Sequence, residues 1–208
     1  MVTLLRHPQR QAMLCSRIEI LGVFGSGKTT LAQHLSNGRE PLMLERHEHN
    51  VYWNTPGANA ATGFLAYDLS FLLQHHYLAA SCPSASYNGV ALCDWSFASD
   101  DLWASMRLND DDLDAYRTVH GALLKSVGPP LGYIHLRPPE RTIAERLRLR
   151  NRAGENISTA EISDAADRLD ELVQQLPSAK VMRVGDDADL VNIRNLFEHW
   201  LRGRTGER

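Results

Sequence analysis

Apolar residues are spaced in two rhythms along the chain: short runs fit strands, and longer stretches fit helices. Arg17-Ile18-Glu19-Ile20-Leu21 predicts a strand that stops at Gly22. From Lys28 the run Thr29 to Leu35 predicts a helix ending at Asn37-Gly38, a pair suited to a helix stop. Leu42-Met43-Leu44 predicts a second strand. Over residues 59–80, Phe64, Leu65, Leu69, Phe71, Leu72, Leu73 and Tyr77 have the spacing of a helix buried on much of its circumference. Val90-Ala91-Leu92-Cys93 predicts a third strand, ending at Asp94. Asn109 to Asp112 forms the acid-rich start of a helix to about Val127, where acids meet the positive end of the helix dipole, and Gly128-Pro129-Pro130 breaks it. Tyr133-Ile134-His135-Leu136 predicts a fourth strand, and Pro138-Pro139-Glu140 opens an Arg-rich helix. Ser158-x-x-Glu161 is a capping box ahead of Ile162, Ala166, Leu169, Leu172, Val173 and Leu176. Val181 to Val184 predicts a fifth strand, and a last helix covers about 187–202.

Strands alternating with helices imply an α/β fold, a five-stranded parallel sheet with helices on both faces. The 208 residues suit one domain, 17–208, behind an N-terminal extension at 1–16. With 43% hydrophobic and 23% charged residues the composition is globular, which disfavours a disordered tail, a fibre or a coiled coil. A net charge of −3 exerts no pull toward nucleic acid or anionic lipid. No run of about 18 apolar residues is present to span a membrane. Arg6, Arg10 and Arg17 precede the first acid, Glu19, yet Pro8 interrupts the stretch and no apolar segment with a cleavage site follows, so no targeting segment is expected. Three cysteines without C-x-x-C spacing disfavour a disulfide framework or zinc site and fit a reducing, cytoplasmic setting.

The candidate chemistry begins at Gly22-Val23-Phe24-Gly25-Ser26-Gly27-Lys28-Thr29-Thr30, which contains G-x-x-x-x-G-K-[ST] in full. Its glycines let successive backbone N–H groups curl around phosphate oxygens, and the following helix adds its positive end. Lys28 is then placed for the β and γ phosphates, and the Thr29 hydroxyl for Mg²⁺. Glu45 and Asp94 follow the second and third strands, at the sheet edge where such folds bind ligands. A phosphotransferase needs one carboxylate to orient and deprotonate a hydroxyl and another to hold Mg²⁺ or its waters. Farther on, Arg141, Arg146, Arg148, Arg150 and Arg152 stand against one acid, Glu145, a local charge of +4. Arg146 and Arg150 repel at i,i+4 unless an anion lies between them, and Gly154 supplies a hinge. An Arg-rich, phosphate-closing lid over about 146–157 follows from this pattern.

From about Ile18 to Val184 the chain resembles the deoxynucleoside kinase family, related in fold to thymidylate kinase. The resemblance lies in the glycine loop with Thr30-Leu31, in Glu45-Arg46-His47-Glu48-His49-Asn50-Val51-Tyr52 and in Asp94-Trp95-Ser96. Its most specific part is Glu145-Arg146-Leu147-Arg148-Leu149-Arg150-Asn151-Arg152-Ala153-Gly154-Glu155. It implies a P-loop NTPase fold, ATP as phosphoryl donor, Mg²⁺, a nucleoside acceptor phosphorylated at its 5′-hydroxyl, and a homodimer. By the same resemblance Glu45 is the general base and Asp94 holds magnesium through water. Arg146, Arg150 and Arg152 grip the transferring group, and Glu155 touches the sugar 3′-hydroxyl. Gly185-Asp186-Asp187 passes the adenine, and the family's sugar-binding tyrosine has two candidates, Tyr52 and Tyr67.

Two positions depart from the family pattern. Trp95 stands where the family has an arginine that supports the base, and Arg46 or Arg107 is a candidate replacement. Asp68 stands on an apolar helical face where the family has a glutamine that reads the nucleobase. An ionised Asp only accepts hydrogen bonds, so it favours a donor-rich edge such as that of guanine, unless a neighbouring arginine takes it. These departures keep open a nucleoside monophosphate or another small hydroxyl compound as acceptor; a regulator that binds ATP without transfer is the further alternative. His47-Glu48-His49 lacks a third metal ligand at a usable spacing, and His75-His76 is expected at solvent or an interface. Trp95 is expected to line a pocket, with Trp53 and Trp103 in the core.

Overall fold

The computed structural model describes residues 16–53, 63–82, 90–150, 158–185 and 190–205. Its five strands are β1 (Ser16–Leu21), β2 (Leu42–Met43), β3 (Val90–Cys93), β4 (Gly132–Leu136) and β5 (Val181–Val184). They pair in the order β2-β3-β1-β4-β5, all parallel, with Ile18 opposite Leu92 on one side and Gly132 on the other. The helices are α1 (Lys28–Ser36), α2 (Leu65–Ser81), α3 (Phe97–Arg107), α4 (Asp110–Val127), α5 (Glu140–Arg150), α6 (Thr159–Gln175) and α7 (Leu190–Thr205).

The period of two along β1 divides the core. Ile18 and Ile20 pack with Leu31, Ala32 and Leu35 of α1 and with Ile193 and Phe197 of α7. Leu21 packs the other way, against Leu102 of α3 and Leu169 and Val173 of α6, and α2, α3 and α4 cover the β3 edge of that face. Both faces of the sheet are therefore buried, which is why its strands read as short apolar runs.

The second face also buries charge. Arg17 Nε donates to Glu19 Oε1 at 2.8 Å, and its other nitrogens donate to the carbonyls of Val127 and Gly128 at the end of α4. Glu19 Oε2 accepts from Ser96 Oγ at 2.9 Å and from the Phe97 amide at 3.2 Å. The cation thus sits at a helix C-terminus and the carboxylate at a helix N-terminus, each where the peptide dipoles favour it. Burial still raises the Glu19 carboxyl above its ordinary range, against the pull of Arg17 and Ser96. This pair fixes the start of α3, which supplies half of the site described below.

The observed elements depart from expectation in a few places. Ser16, assigned to the extension, is the first residue of β1. The segment Phe97–Arg107, for which no helix is expected, forms α3, with the Ser96 side chain capping the Ala98 amide. The capping box at Ser158 is present as predicted. Cys93 is free and buried, and Cys82 is disulfide-bonded. No helix among the described residues is long and apolar enough to cross a membrane.

Candidate active site at the carboxyl ends of the strands

Between β1 and α1 the chain turns through Gly25 at φ 76° and Gly27 at φ 100°, a left-handed backbone that glycine adopts without strain. A side chain at Gly25 would collide with Leu147 of α5, 2.9 Å away. Lys28 Nζ donates to the carbonyls of Gly22 at 2.8 Å and Val23 at 3.1 Å. The loop, with Thr29 and Thr30, lines one end of a cavity of about 800 Å³. Arg146 and Arg150 of α5 line the same cavity, and Arg146 Nη1 donates to the Ser26 carbonyl at 2.8 Å.

A chain of hydrogen bonds runs from this loop across the strand ends. Thr29 Oγ1 donates to Asp94 Oδ2 at 2.6 Å, and the Glu45 amide donates to Asp94 Oδ1 at 2.7 Å. Burial raises the Asp94 carboxyl above its ordinary range, against those two bonds. Glu45 Oε2 faces His75 Nε2 at 3.2 Å, and His75 Nδ1 faces Asp100 Oδ2 at 2.8 Å. Burial opposes the Glu45 charge, but His75, with Lys28 and His47, outweighs it and holds the carboxyl below its ordinary range.

The far end of the cavity is built by α2, α3 and α4. Asp68, 4% exposed, accepts a short hydrogen bond from Arg107, whose guanidinium lies over the rings of Tyr67 at 5.1 Å and Trp103 at 5.8 Å. Burial raises the Asp68 carboxyl above its ordinary range despite Arg107. At this end of the cavity five buried polar atoms have no hydrogen-bond partner among the described residues: Asp68 Oδ2, Trp95 Nε1, Ser99 Oγ, Arg107 Nε and the Tyr116 hydroxyl; Ser26 Oγ, in the glycine loop, is a sixth on a cavity-lining residue. Each such atom costs roughly 1–3 kcal/mol while unpaired.

A family model described as deoxynucleoside kinase matches residues 18–201. The chain belongs to the deoxynucleoside kinase family. As a deoxynucleoside kinase family member it is a phosphotransferase with a P-loop NTPase fold. It is similar to the deoxyadenosine kinase from M. mycoides with bound dCTP, at a TM-score of 0.74 and 17% identity over 90% of this chain and 99% of that one. The same enzyme with bound dATP matches at 0.72 and 17%, over 89% and 99%. A NadR protein in complex with NR matches at 0.66 and 12%, over 94% of this chain and 53% of that one. At these identities the likeness is one of fold. No curated protein matches the sequence.

Within this kinase the glycine loop, Glu45, Asp68, Asp94, Trp95, Arg146 and Arg150 all line one cavity. Arg152, Glu155, Asp186 and Asp187 lie outside the described residues. Arg107, a candidate replacement for an arginine at 95, pairs with Asp68. Trp53 and Trp103 line the cavity beside Trp95, and His47 and Glu48, on a single 3-10 turn, rim it. The expectation for His75 is overturned: the residue is 1% exposed and bridges two acids, while His76 bonds Ser126 Oγ. The place of His75, seven residues after Asp68 on the same apolar helix, hints at burial, but not at its partners. Among the described residues no three His, Cys, Asp or Glu side chains form a metal cluster.

Proposed function

We propose that this kinase transfers the γ-phosphoryl group of ATP to the 5′-hydroxyl of a deoxynucleoside. One observation carries the reading: a single cavity is lined by the phosphate cradle and by the residues of the five unpaired polar atoms, and Glu45, bonded to Asp94 and His75, lines it too. The triphosphate tail occupies the loop, where Lys28 turns from the Gly22 and Val23 carbonyls to the β and γ phosphates. Glu45 takes the proton of the attacking hydroxyl. The new O–P bond forms as the bridging bond to ADP breaks, and Arg146, Arg150 and Arg152 offset the charge that spreads over the transferring group. Glu155 completes the sugar contacts at the 3′-hydroxyl.

Thr29 Oγ1 and Asp94 Oδ2, 2.6 Å apart beside the cradle, are the hard oxygen donors that Mg²⁺ takes together with phosphates and water. Those two residues would hold the ion, which when bound neutralises phosphate charge. The base lies against Asp68 and Arg107, with Trp95 flanking the site. That pair offers an acceptor and a donor side by side, which replaces the expectation of a donor-only base edge. The amino group and ring nitrogen of adenine or cytosine meet both, a reading supported by the dATP and dCTP held by the M. mycoides enzyme. The product returns a scavenged nucleoside to the nucleotide pool.

A homodimer is part of the proposal, supported by Leu73 and Tyr77, 52% and 69% exposed on α2. So is a cytoplasmic location, where ATP is made.

Replacing Glu45 by Gln tests the assignment. Turnover falls by on the order of 100-fold or more while ATP affinity stays within about twofold. Equal loss of turnover and ATP affinity contradicts the role.

A further inference from the structure

His75 belongs to α2, but its ring lies where three other elements meet. Nδ1 faces Asp100 of α3 at 2.8 Å, and Nε2 faces Glu45 after β2 at 3.2 Å. The ring stacks on Trp95, after β3, with centroids 4.4 Å apart and planes 3° from parallel. Phe71, one turn earlier on α2, closes another side at 6.4 Å. An ionised carboxylate only accepts hydrogen bonds, and a neutral imidazole has a single N–H. Only the imidazolium donates to Asp100 and Glu45 together.

We propose that His75 is the positioning residue for Glu45, an imidazolium clamped by Asp100 and Trp95 that fixes the carboxylate of the general base. The proposal rests on the role given to Glu45 above. Asp100 anchors the ring from behind, and the indole face of Trp95 favours the positive charge stacked on it. With Oε2 held by the ring, Glu45 presents Oε1 to an attacking hydroxyl in one orientation. The surrounding charges agree with this protonation state: burial opposes it, yet Asp100 and Glu45 push the His75 pKa up to about 10. Tyr116 of α4 and Asp68 lie on the Asp100 side, and Lys28 and His47 on the Glu45 side.

A cation beside Glu45 lowers its basicity, but phosphoryl transfer through a loose transition state needs the nucleophile oriented more than it needs a strong base. The arginine that the family pattern has at 95 is therefore replaced in kind: the positive charge comes from α2, and position 95 supplies the surface it stacks on.

Removing the ring and returning it in solution tests this. In His75→Ala, turnover drops on the order of 10-fold to 100-fold, as expected for a displaced catalytic group, while the KM for ATP stays within about twofold. Added imidazole, which can carry the charge, restores turnover; pyrazole, of the same size but neutral at pH 7, does not. Glu45→Gln combined with His75→Ala is no slower than Glu45→Gln alone, because the ring acts through Glu45. Asp100→Asn, which keeps the shape of the clamp, loses turnover in the same direction and provides a second handle if His75→Ala does not fold.

The inference is overturned by wild-type turnover in both His75→Ala and Asp100→Asn, by equal rescue with both heterocycles, or by losses that multiply in the double variant. If Glu45→Gln is impaired and the His75 and Asp100 variants are not, the role of Glu45 stands and this inference alone falls. If Glu45→Gln itself turns over normally, both fall.

Discussion

Arg107 donates from the last turn of α3 to Asp68 on the first turn of α2, across the end of the cavity that carries the unpaired polar atoms. A buried carboxylate on an apolar helical face needs such a partner, and the pair leaves Asp68 Oδ2 and Arg107 Nε unsatisfied.

Substituting Asp68 by Asn removes the charge and half of the acceptor capacity at nearly constant shape. The KM for the preferred nucleoside rises about 10-fold, equivalent to about 1.4 kcal/mol, and the ranking of bases changes, while the KM for ATP does not. Steady-state kinetics over the four deoxynucleosides checks this. An unchanged ranking removes Asp68 from base recognition.

Gly25 and Gly38 separate backbone strain from site geometry. Both have positive φ, 76° and 74°, but an added Cβ meets Leu147 at 2.9 Å at Gly25 and nothing within 4 Å at Gly38. Alanine at either position costs roughly 1–2 kcal/mol from the left-handed backbone. Only Gly25→Ala also pushes α5 off the loop and raises the KM for ATP. Thermal unfolding and ATP kinetics on the two variants, side by side, check the split.

The sheet and the cradle were legible in the sequence because their signals are local. Gly22 to Thr29 is contiguous, and the apolar runs of β3 and β5 have the predicted bounds. Phe97–Arg107 escaped because its buried face carries Ser99 beside Leu102 and Ala104; the cavity wants a polar residue where a helical stripe would show an apolar one. His75 escaped for another reason. Its partners are 30 and 25 residues away, on other elements, and no sequence window brings Glu45 and Asp100 together. That an arginine could take Asp68 was readable, but not that it is Arg107, 39 residues later on another helix.

The His75 cluster also makes stability depend on pH. A histidine whose folded pKa is about 10, against 6.5 for the ordinary group, contributes fully below pH 6.5, and the contribution is lost as pH rises through 10. The stability advantage of the wild type over His75→Gln is therefore larger at pH 6 than at pH 10. Urea midpoints of both proteins at the two values check it, the difference cancelling groups they share. An advantage that does not change with pH means that the ring is neutral in the fold.

Transfer itself is the most direct test. The purified protein is mixed with ATP labelled in its γ phosphate, Mg²⁺ and a pool of deoxynucleosides with their monophosphates, and the products are separated after one turnover. The account predicts label on the 5′-phosphate of a deoxynucleoside monophosphate, deoxyadenosine or deoxycytidine first. Label appearing only in diphosphates, or in no nucleoside product, contradicts it.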